Sequence, residues 1–275
     1  MDNIKIGSIA WGLPGGGEYA TKVAHSLGLA GLQLDLGSHD FGYQLKEKLV
    51  MQGYLEDKER YSLEYPTIIV NDVMYNVFIN GRDTNQGKIA YYQIELAIEI
   101  AAEMEIPTVM IPNFEEALIT EEEHIENTRK ALKFACERAK GTDVLILTET
   151  GLLPDAQFKM MDDINEDNLL IHFDTQNYYY NHGYDQCEVL EQLYPRIYNI
   201  IHTKDGIDGP GDRLLGDGDT DFFKQMEIFK EKQYSGWIIL ENYYNQFSLR
   251  KNYPGLSAMD LVKKDIATLK SSLSI

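Results

Sequence analysis

Residues 199–221 read NIIHTKDGIDGPGDRLLGDGDTD, a stretch that joins an apolar run to a polar loop interrupted by glycines. Ile197, Ile200 and Ile201 are β-branched and lead into His202, which predicts a buried parallel strand that carries an imidazole at its carboxyl end. Three other apolar runs end in a carboxylate: VLILTE at Glu149, LLIHFD at Asp174 and GWIILE at Glu241. Four segments therefore share one pattern, a strand that ends in a side chain able to bind a metal.

These four strands are the last in a longer alternation of strands and helices. Four earlier strands are predicted near residues 4–9, 32–36, 66–70 and 107–111, and a helical pattern follows each strand. Eight strand–helix units in 275 residues favour one α/β domain over residues 1–275, a single (β/α)8 TIM barrel, whose usual size is roughly 250 residues. The active site of such a barrel lies at the carboxyl ends of the strands, where the four polar strand ends are expected to meet.

Several helix boundaries can also be predicted. Thr120 is expected to cap a helix over residues 121–140, since its hydroxyl can accept a hydrogen bond from the first turn. Pro195 is expected to stop a helix over residues 186–194. The seventh and eighth strands are predicted to end at His202 and Glu241.

The charge balance limits the classes of partner. The chain has 25 Lys and Arg against 44 Asp and Glu, a formal net charge of -19, which repels both a phosphate backbone and an anionic membrane surface. We therefore expect neither nucleic acid nor a membrane as a partner. The two cysteines, Cys136 and Cys187, lack the spacing of a disulfide framework, and the amino terminus lacks a signal-peptide pattern, so a cytoplasmic protein is expected.

Five motifs carry a resemblance to a known family. They are LTETG, HFDTQN, IIHTKDG, LLGDGDTDF and GWIILENYY, and the similarity is strongest between Val144 and Glu241. The chain resembles the xylose isomerase-like barrels, which include sugar and sugar-phosphate isomerases and epimerases of the tagatose and psicose 3-epimerase kind, hydroxypyruvate isomerase and endonuclease IV. The resemblance implies that Glu149, Asp174, His202 and Glu241 ligate one divalent metal, with Glu149 and Glu241 also acting as acid and base.

The chemistry of these four residues agrees with that implication. Three carboxylates and one imidazole form an oxygen-rich set that suits manganese, magnesium or cobalt better than a thiolate-type zinc site, although zinc is a further candidate. Three carboxylates brought together without a cation would repel one another and take up protons, whereas a +2 ion stabilises them.

A second group of residues is predicted to contact a substrate. Lys204 and Asp205 follow His202 in the HxKD pattern and could orient sugar hydroxyls or support the metal ligands, while a salt bridge within the loop is the alternative. Arg213 could hold a substrate oxygen or phosphate, or compensate the charge of its acidic loop. The remaining candidates are Trp11, Asn71 and Asn177, of which Asn177 stands where several relatives have histidine. Five histidines lack partners at metal-ligand spacing and are interpreted as structural: His25, His39, His124, His172 and His182.

The favoured function is a metal-dependent isomerase or epimerase of a small sugar or sugar phosphate that works through an enediolate. A dehydratase on the same barrel, of the inosose lyase type, is an alternative. An endonuclease IV-like repair enzyme is disfavoured by the negative charge, and a purely binding barrel gives no reason for four converging ligands. The sequence leaves open which sugar is used, whether it is phosphorylated, and whether the chain forms a homo-oligomer.

Overall fold

Eight parallel strands form a closed barrel in the order of the sequence in the computed structural model, which describes residues 3–17 and 19–275. The predicted (β/α)8 barrel is confirmed. The strands are β1 (Ile4–Ile9), β2 (Gly31–Asp35), β3 (Ile68–Ile69), β4 (Thr108–Pro112), β5 (Leu145–Glu149), β6 (Leu169–Asp174), β7 (Ile197–Thr203) and β8 (Gly236–Leu240).

Helices follow the strands, as parallel neighbours require crossover connections. They are α1 (Tyr19–Ser26), α2 (Lys48–Tyr61), α3 (Asn85–Glu103), α4 (Glu122–Ala139), α5 (Pro154–Ile164), α6 (Asn177–His182), α7 (Gln186–Leu193), α8 (Phe222–Glu231), α9 (Phe247–Arg250) and α10 (Ala258–Leu273). Short 3₁₀ turns lie at His39–Phe41, Gln44–Lys46, Asn71–Met74, Glu115–Ala117 and Tyr194–Arg196. One face of α3 is apolar and buried; it includes Ile94, Ala97, Ile98 and Ala101.

The residues of the fold group into two compact units. One contains Met1–Gln33, Glu56–Glu64 and Phe173–Ile275, and within it β8 pairs with both β1 and β7. The other contains Leu34–Leu55 and Tyr65–His172, and within it β3, β4 and β5 pair in order. The prediction of a single domain stays a prediction.

The register of β7 and β8 positions the polar residues at the carboxyl ends of these two strands. His202 is in register with Ile239, and Thr203 is in register with Leu240. Glu241 follows directly, and its backbone N–H donates to the carbonyl of Thr203 at 2.9 Å. The two strands therefore deliver their terminal polar side chains to the same level of the sheet.

Some predicted boundaries are wrong by a few residues. Thr120 does not cap α4: the helix begins at Glu122, and the Thr120 hydroxyl lies 3.3 Å from His124 Nδ1 instead. Helix α7 ends at Leu193, and Pro195 lies in the 3₁₀ turn that follows it. A proline is tolerated in the first turn of a helix, because the N–H that it lacks would have no partner there. Strand β7 extends one residue past His202, and Glu241 lies just beyond β8.

No helix among residues 3–17 and 19–275 is both long enough and apolar enough to cross a membrane.

Candidate metal and active site

The end of β7 is tied to the end of β6 by Thr175. The Thr175 hydroxyl donates to the carbonyl of Lys204 at 2.7 Å and accepts from the Lys204 N–H at 3.0 Å. The Thr175 N–H also donates to the His202 carbonyl at 3.3 Å. All three residues are buried, so the strand ends that carry Asp174 and His202 hold a definite separation.

Asp174 ends β6 and also organises the turn into α6. Its Oδ1 accepts from the backbone N–H groups of Gln176 and Asn177, both at 2.8 Å, which satisfies two donors at the start of the helix. Gln186 donates to the Asp174 carbonyl at 2.6 Å. The second oxygen, Oδ2, lies 3.4 Å from Lys204 Nζ, so one oxygen serves the backbone and the other faces the polar cluster.

Asp174, His202 and Glu241 come together as a buried group. Each offers one ligand atom, and these atoms lie within 4.8 Å of one another. His202 Nδ1 and Glu241 Oε2 are 3.1 Å apart, and the three side chains are between 0% and 9% exposed. Three of the four predicted metal ligands are thus brought together within one compact unit.

A lysine lies against the same carboxylates. Lys204 is buried, and its ammonium lies 2.6 Å from Glu241 Oε2 as well as 3.4 Å from Asp174 Oδ2. Burial raises the pKa of Asp174 to about 6, although Lys204 favours its charged form. Burial also acts to raise the pKa of Glu241, but His202 and Lys204 outweigh it and hold that pKa below its usual range. Glu241 is therefore ionised at neutral pH.

His202 has a further partner that the sequence interpretation missed. Its Nε2 is hydrogen-bonded to Gln33 Oε1, and both side chains are fully buried. A ring nitrogen bonded in this way fixes the orientation of the imidazole and leaves the other nitrogen toward the carboxylates. The only sequence signal for this contact is one amide among the leucines of β2.

Glu149 ends β5 as predicted and is buried. It belongs to the other compact unit, where a ligand atom of its carboxylate lies within 4.8 Å of one on His172. His172 was interpreted as structural, yet it lies two residues before Asp174 on β6 and therefore points to the same face of the strand. That two-residue spacing is the sequence signal that could have placed His172 on the same strand face as Asp174.

Asp205 holds its own loop together. Its buried carboxylate accepts from the N–H groups of Gly206 and Gly216, both at 2.9 Å, from Gly218 N–H at 3.1 Å and from the Thr220 hydroxyl at 2.8 Å. We call this carboxylate with its four donors the Asp205 hub. Burial raises the pKa of Asp205, and these hydrogen bonds oppose the shift.

Arg213 is engaged with acidic neighbours in the same loop. Its guanidinium lies 2.7 Å from Asp212 Oδ2 and 3.1 Å from Asp208 Oδ2. This arrangement corresponds to charge compensation, the alternative considered for this residue, and the predicted substrate contact of Arg213 stays a prediction.

The other predicted substrate residues lie at strand ends or in the adjoining loops. Asn71 follows β3 and donates to Asp35 Oδ2 at 3.1 Å. Asn177 is the first residue of α6 and is buried beside Asp174, while Trp11 follows β1 and is half-buried. Their contacts with a substrate stay predictions.

The donor set fits a hard divalent ion. Two carboxylates and one imidazole meet in a buried space, and Glu241 is held in its ionised form, as a ligand must be. The hydrogen bond that His202 Nε2 donates to Gln33 Oε1 and those from the backbone at the start of α6 to Asp174 orient two of the three ligands from outside. The chemistry and burial of these residues are the evidence for a metal centre.

Comparison with known proteins identifies the family. The sequence model of the xylose isomerase-like TIM barrel family matches residues 21–272, so the chain belongs to that family, as its motifs predicted. A 2-epi-5-epi-valiolone 7-phosphate 2-epimerase of Actinoplanes sp. is 23% identical over 218 residues, which make up 78% of this chain and 77% of that protein.

Solved structures agree with the fold. D-Allulose 3-epimerase from Methylomonas sp., in complex with D-allulose, has a TM-score of 0.74 at 14% identity and covers 98% of this chain and 97% of that chain. The IOLI protein, solved with a binding zinc atom, has a TM-score of 0.73 at 17% identity and covers 99% of this chain and 98% of that chain. At these identities the likeness shows the shared barrel.

Proposed function

We propose that this protein is a divalent-metal-dependent isomerase or epimerase of a small sugar or sugar phosphate. The observation that carries the proposal is the buried group of Asp174, His202 and Glu241, whose ligand atoms lie within 4.8 Å of one another. The epimerase relatives support the choice of reaction, and one of them, by its name, acts on 2-epi-5-epi-valiolone 7-phosphate.

We propose Glu149 as the fourth ligand and as the second acid–base group. Its position at the end of β5 and the LTETG motif around it support this assignment. Lys204, Asp205, Arg213, Trp11, Asn71 and Asn177 complete the proposed set of substrate residues. Manganese, magnesium and cobalt are the proposed ions, and zinc is included because one relative binds it.

In the proposed mechanism, one glutamate removes a proton from the substrate and the other supplies a different proton. A bound divalent ion would polarise adjacent hydroxyl and carbonyl oxygens of the sugar and so acidify the C–H bond between them. Glu241, ionised at neutral pH, is the base that takes this proton and leaves an enediolate. Glu149 returns a proton to the opposite face, which inverts the carbon; return to the neighbouring carbon gives aldose–ketose isomerisation instead.

The first experiment tests the metal site. Elemental analysis and calorimetry are expected to give one divalent ion per chain for the wild type and a loss of high-affinity binding for Asp174→Ala and His202→Ala. Asp143→Ala is the matched control, since Asp143 is an exposed aspartate just before β5, at the opposite end of the strand from its predicted ligand. Wild-type stoichiometry and affinity in both site variants would refute the metal site.

The second experiment tests the proton transfer. Glu149→Gln and Glu241→Gln keep an oxygen that can coordinate an ion but remove the base, so turnover of a ketose should fall about a hundredfold or more while metal binding falls less. In deuterated water, the wild type is expected to incorporate deuterium at the reacting carbon. Turnover at the wild-type rate in both Gln variants would contradict the mechanism, and a product that has lost water would indicate the dehydratase alternative.

A further inference from the structure

Asp265 is a fully buried carboxylate in the middle of α10. It interrupts the apolar stripe of this helix, whose other buried members are Leu261, Val262, Ile266, Leu269 and Leu273. A buried acid on the core face of a helix is unusual, because an ionisable group without partners is costly to bury. Its partners therefore indicate why the position is not occupied by a leucine.

Three donors from two loops converge on Asp265. Its Oδ1 accepts from the Leu215 N–H at 2.8 Å, and its Oδ2 accepts from Asn242 Nδ2 at 2.7 Å and from the Tyr244 hydroxyl at 2.9 Å. Leu215 lies in the loop that follows β7, whereas Asn242 and Tyr244 follow β8. One carboxylate thus joins the loops that leave the strands of His202 and Glu241.

Asn242 extends this connection to the Asp205 hub. Its Nδ2 also donates to the Arg213 carbonyl at 2.9 Å, and its Oδ1 accepts from the Asp205 N–H at 3.4 Å. Asn242 is fully buried and is the residue next to Glu241. A shift of Asn242 would therefore move the backbone that carries the Glu241 carboxylate.

We propose that Asp265 is a positioning residue that sets the place of Glu241 through Asn242, an inference that rests on the proposed function. Without the acceptor, Asn242, Tyr244 and Leu215 would each lose a buried partner, and the loop after β8 could relax. Groups that support metal ligands from outside typically contribute about 10- to 100-fold to metal affinity or activity. Asp265 acts on the reaction without touching the substrate.

The test compares two aspartates of the same helix. Asp265→Asn keeps the size of the side chain but replaces one acceptor oxygen with a donor. Asp260→Asn is the matched control, because Asp260 is exposed and belongs to the capping box with Ser257, so its loss weakens α10 without reaching either loop. Calorimetry with Mn²⁺ measures metal affinity, steady-state kinetics separate kcat from KM, and thermal unfolding measures stability.

Asp265→Asn is expected to weaken Mn²⁺ binding about 10- to 100-fold and to lower kcat more than it raises KM. Asp260→Asn is expected to lose stability while its metal affinity and kcat stay within about twofold of the wild type. If Asp265→Asn does not fold, Tyr244→Phe removes one of the three donors and is expected to weaken Mn²⁺ binding several-fold.

Equal metal affinity and kcat in Asp265→Asn and Asp260→Asn would overturn the proposal, as would wild-type Mn²⁺ binding in Tyr244→Phe where that variant is the one used. Absence of Mn²⁺, Mg²⁺, Co²⁺ and Zn²⁺ binding alike in titrations of the wild type would refute the proposed function itself, and this inference would then fail with it. The two failures are therefore distinguishable by the wild-type titration alone.

Discussion

Lys204 places a positive charge against two of the proposed ligands, with its ammonium 2.6 Å from Glu241 and 3.4 Å from Asp174. Among the ion pairs of the described residues, no other cation lies as close to both carboxylates as this ammonium. Removing one partner of a buried pair typically destabilises a protein by about 3–5 kcal/mol, because the remaining charge is left uncompensated.

We therefore expect Lys204→Met to lower the unfolding temperature of the protein in chelator and to increase the stabilisation gained on adding Mn²⁺. Scanning calorimetry with and without Mn²⁺ measures both quantities. Lys5→Met is the control, since Lys5 pairs with Glu64 at the exposed surface, where ion pairs contribute little. An equal metal-induced shift in wild type and Lys204→Met would contradict the expectation.

The buried Asp265 should make stability depend on pH. Burial raises its folded-state pKa to about 7, whereas an aspartate in the unfolded chain titrates near its ordinary pKa of 3.8. Between these values the folded state binds more protons, so the stability contributed by this group is present at low pH and is lost as the pH rises from about 4 to about 7. Asp265→Asn lacks this titration.

The stability of the wild type relative to Asp265→Asn should accordingly decline over that pH interval. Urea unfolding of both proteins between pH 4 and pH 8 measures the difference. A difference that is constant or increases with pH would show that Asp265 is ionised in the folded protein throughout the range.

The residues of the site differ in how far sequence could predict them. Asp174, His202 and Glu241 each stand at the end of an apolar run, where a parallel strand must deliver its last side chains to the barrel mouth. Gln33, by contrast, is identified only by its contact with His202, which is 169 positions away in the chain and depends on barrel closure. The same limit applies to Asp265, because its partners lie in loops whose paths have no periodic signal.

At the scale of elements, β2 depends on a glycine at its first residue. A Cβ added to Gly31 would overlap the backbone carbonyl oxygen of Glu64, which accepts the Leu32 N–H at 3.0 Å. Backbone atoms cannot give way as a flexible side chain can, so the strand would have to shift. Overpacking of this kind typically destabilises a protein by about 1–3 kcal/mol.

We expect Gly31→Ala to lower the free energy of unfolding by about that amount, measured by chemical denaturation. Gly209→Ala is the matched control, because none of the described residues other than its two chain neighbours lies within 4 Å of a Cβ at that position. Equal stability of the two variants would contradict the close approach at Gly31.

Sequence predicted the elements better than their ends. The alternation of apolar runs and amphipathic stretches identified all eight strands, but β3 contains only Ile68–Ile69, fewer residues than predicted, although Val70 beside it is buried and its N–H donates to the Met110 carbonyl at 3.0 Å. The predicted N-cap of α4 was also wrong, because the Thr120 hydroxyl lies against His124 and not at the helix terminus. Both differences arise from competition between local preference and tertiary contacts, which a single sequence does not reveal.

At the scale of the whole molecule, the net charge of -19 sets the response to polyanions. Electrostatic binding to DNA is strongest at low salt, so low salt is the most permissive condition for detecting it. We expect no specific binding to a duplex with an abasic site and no cleavage of it, measured by fluorescence anisotropy and by gel. Tight binding with cleavage would favour the endonuclease IV-like alternative over the epimerase.

The Asp205 hub also has a consequence for redesign of the protein. Gly206, Gly216, Gly218 and Thr220 must all reach one carboxylate, and a Cβ at Gly218 would overlap that carboxylate. Insertions or grafted sequences between positions 206 and 220 would therefore disconnect the loop from its anchor, whereas the glycines at positions 16 and 17 have open space around them among the described residues. Libraries intended to change substrate range should vary the loop after β1 and leave the loop after β7 at its natural length.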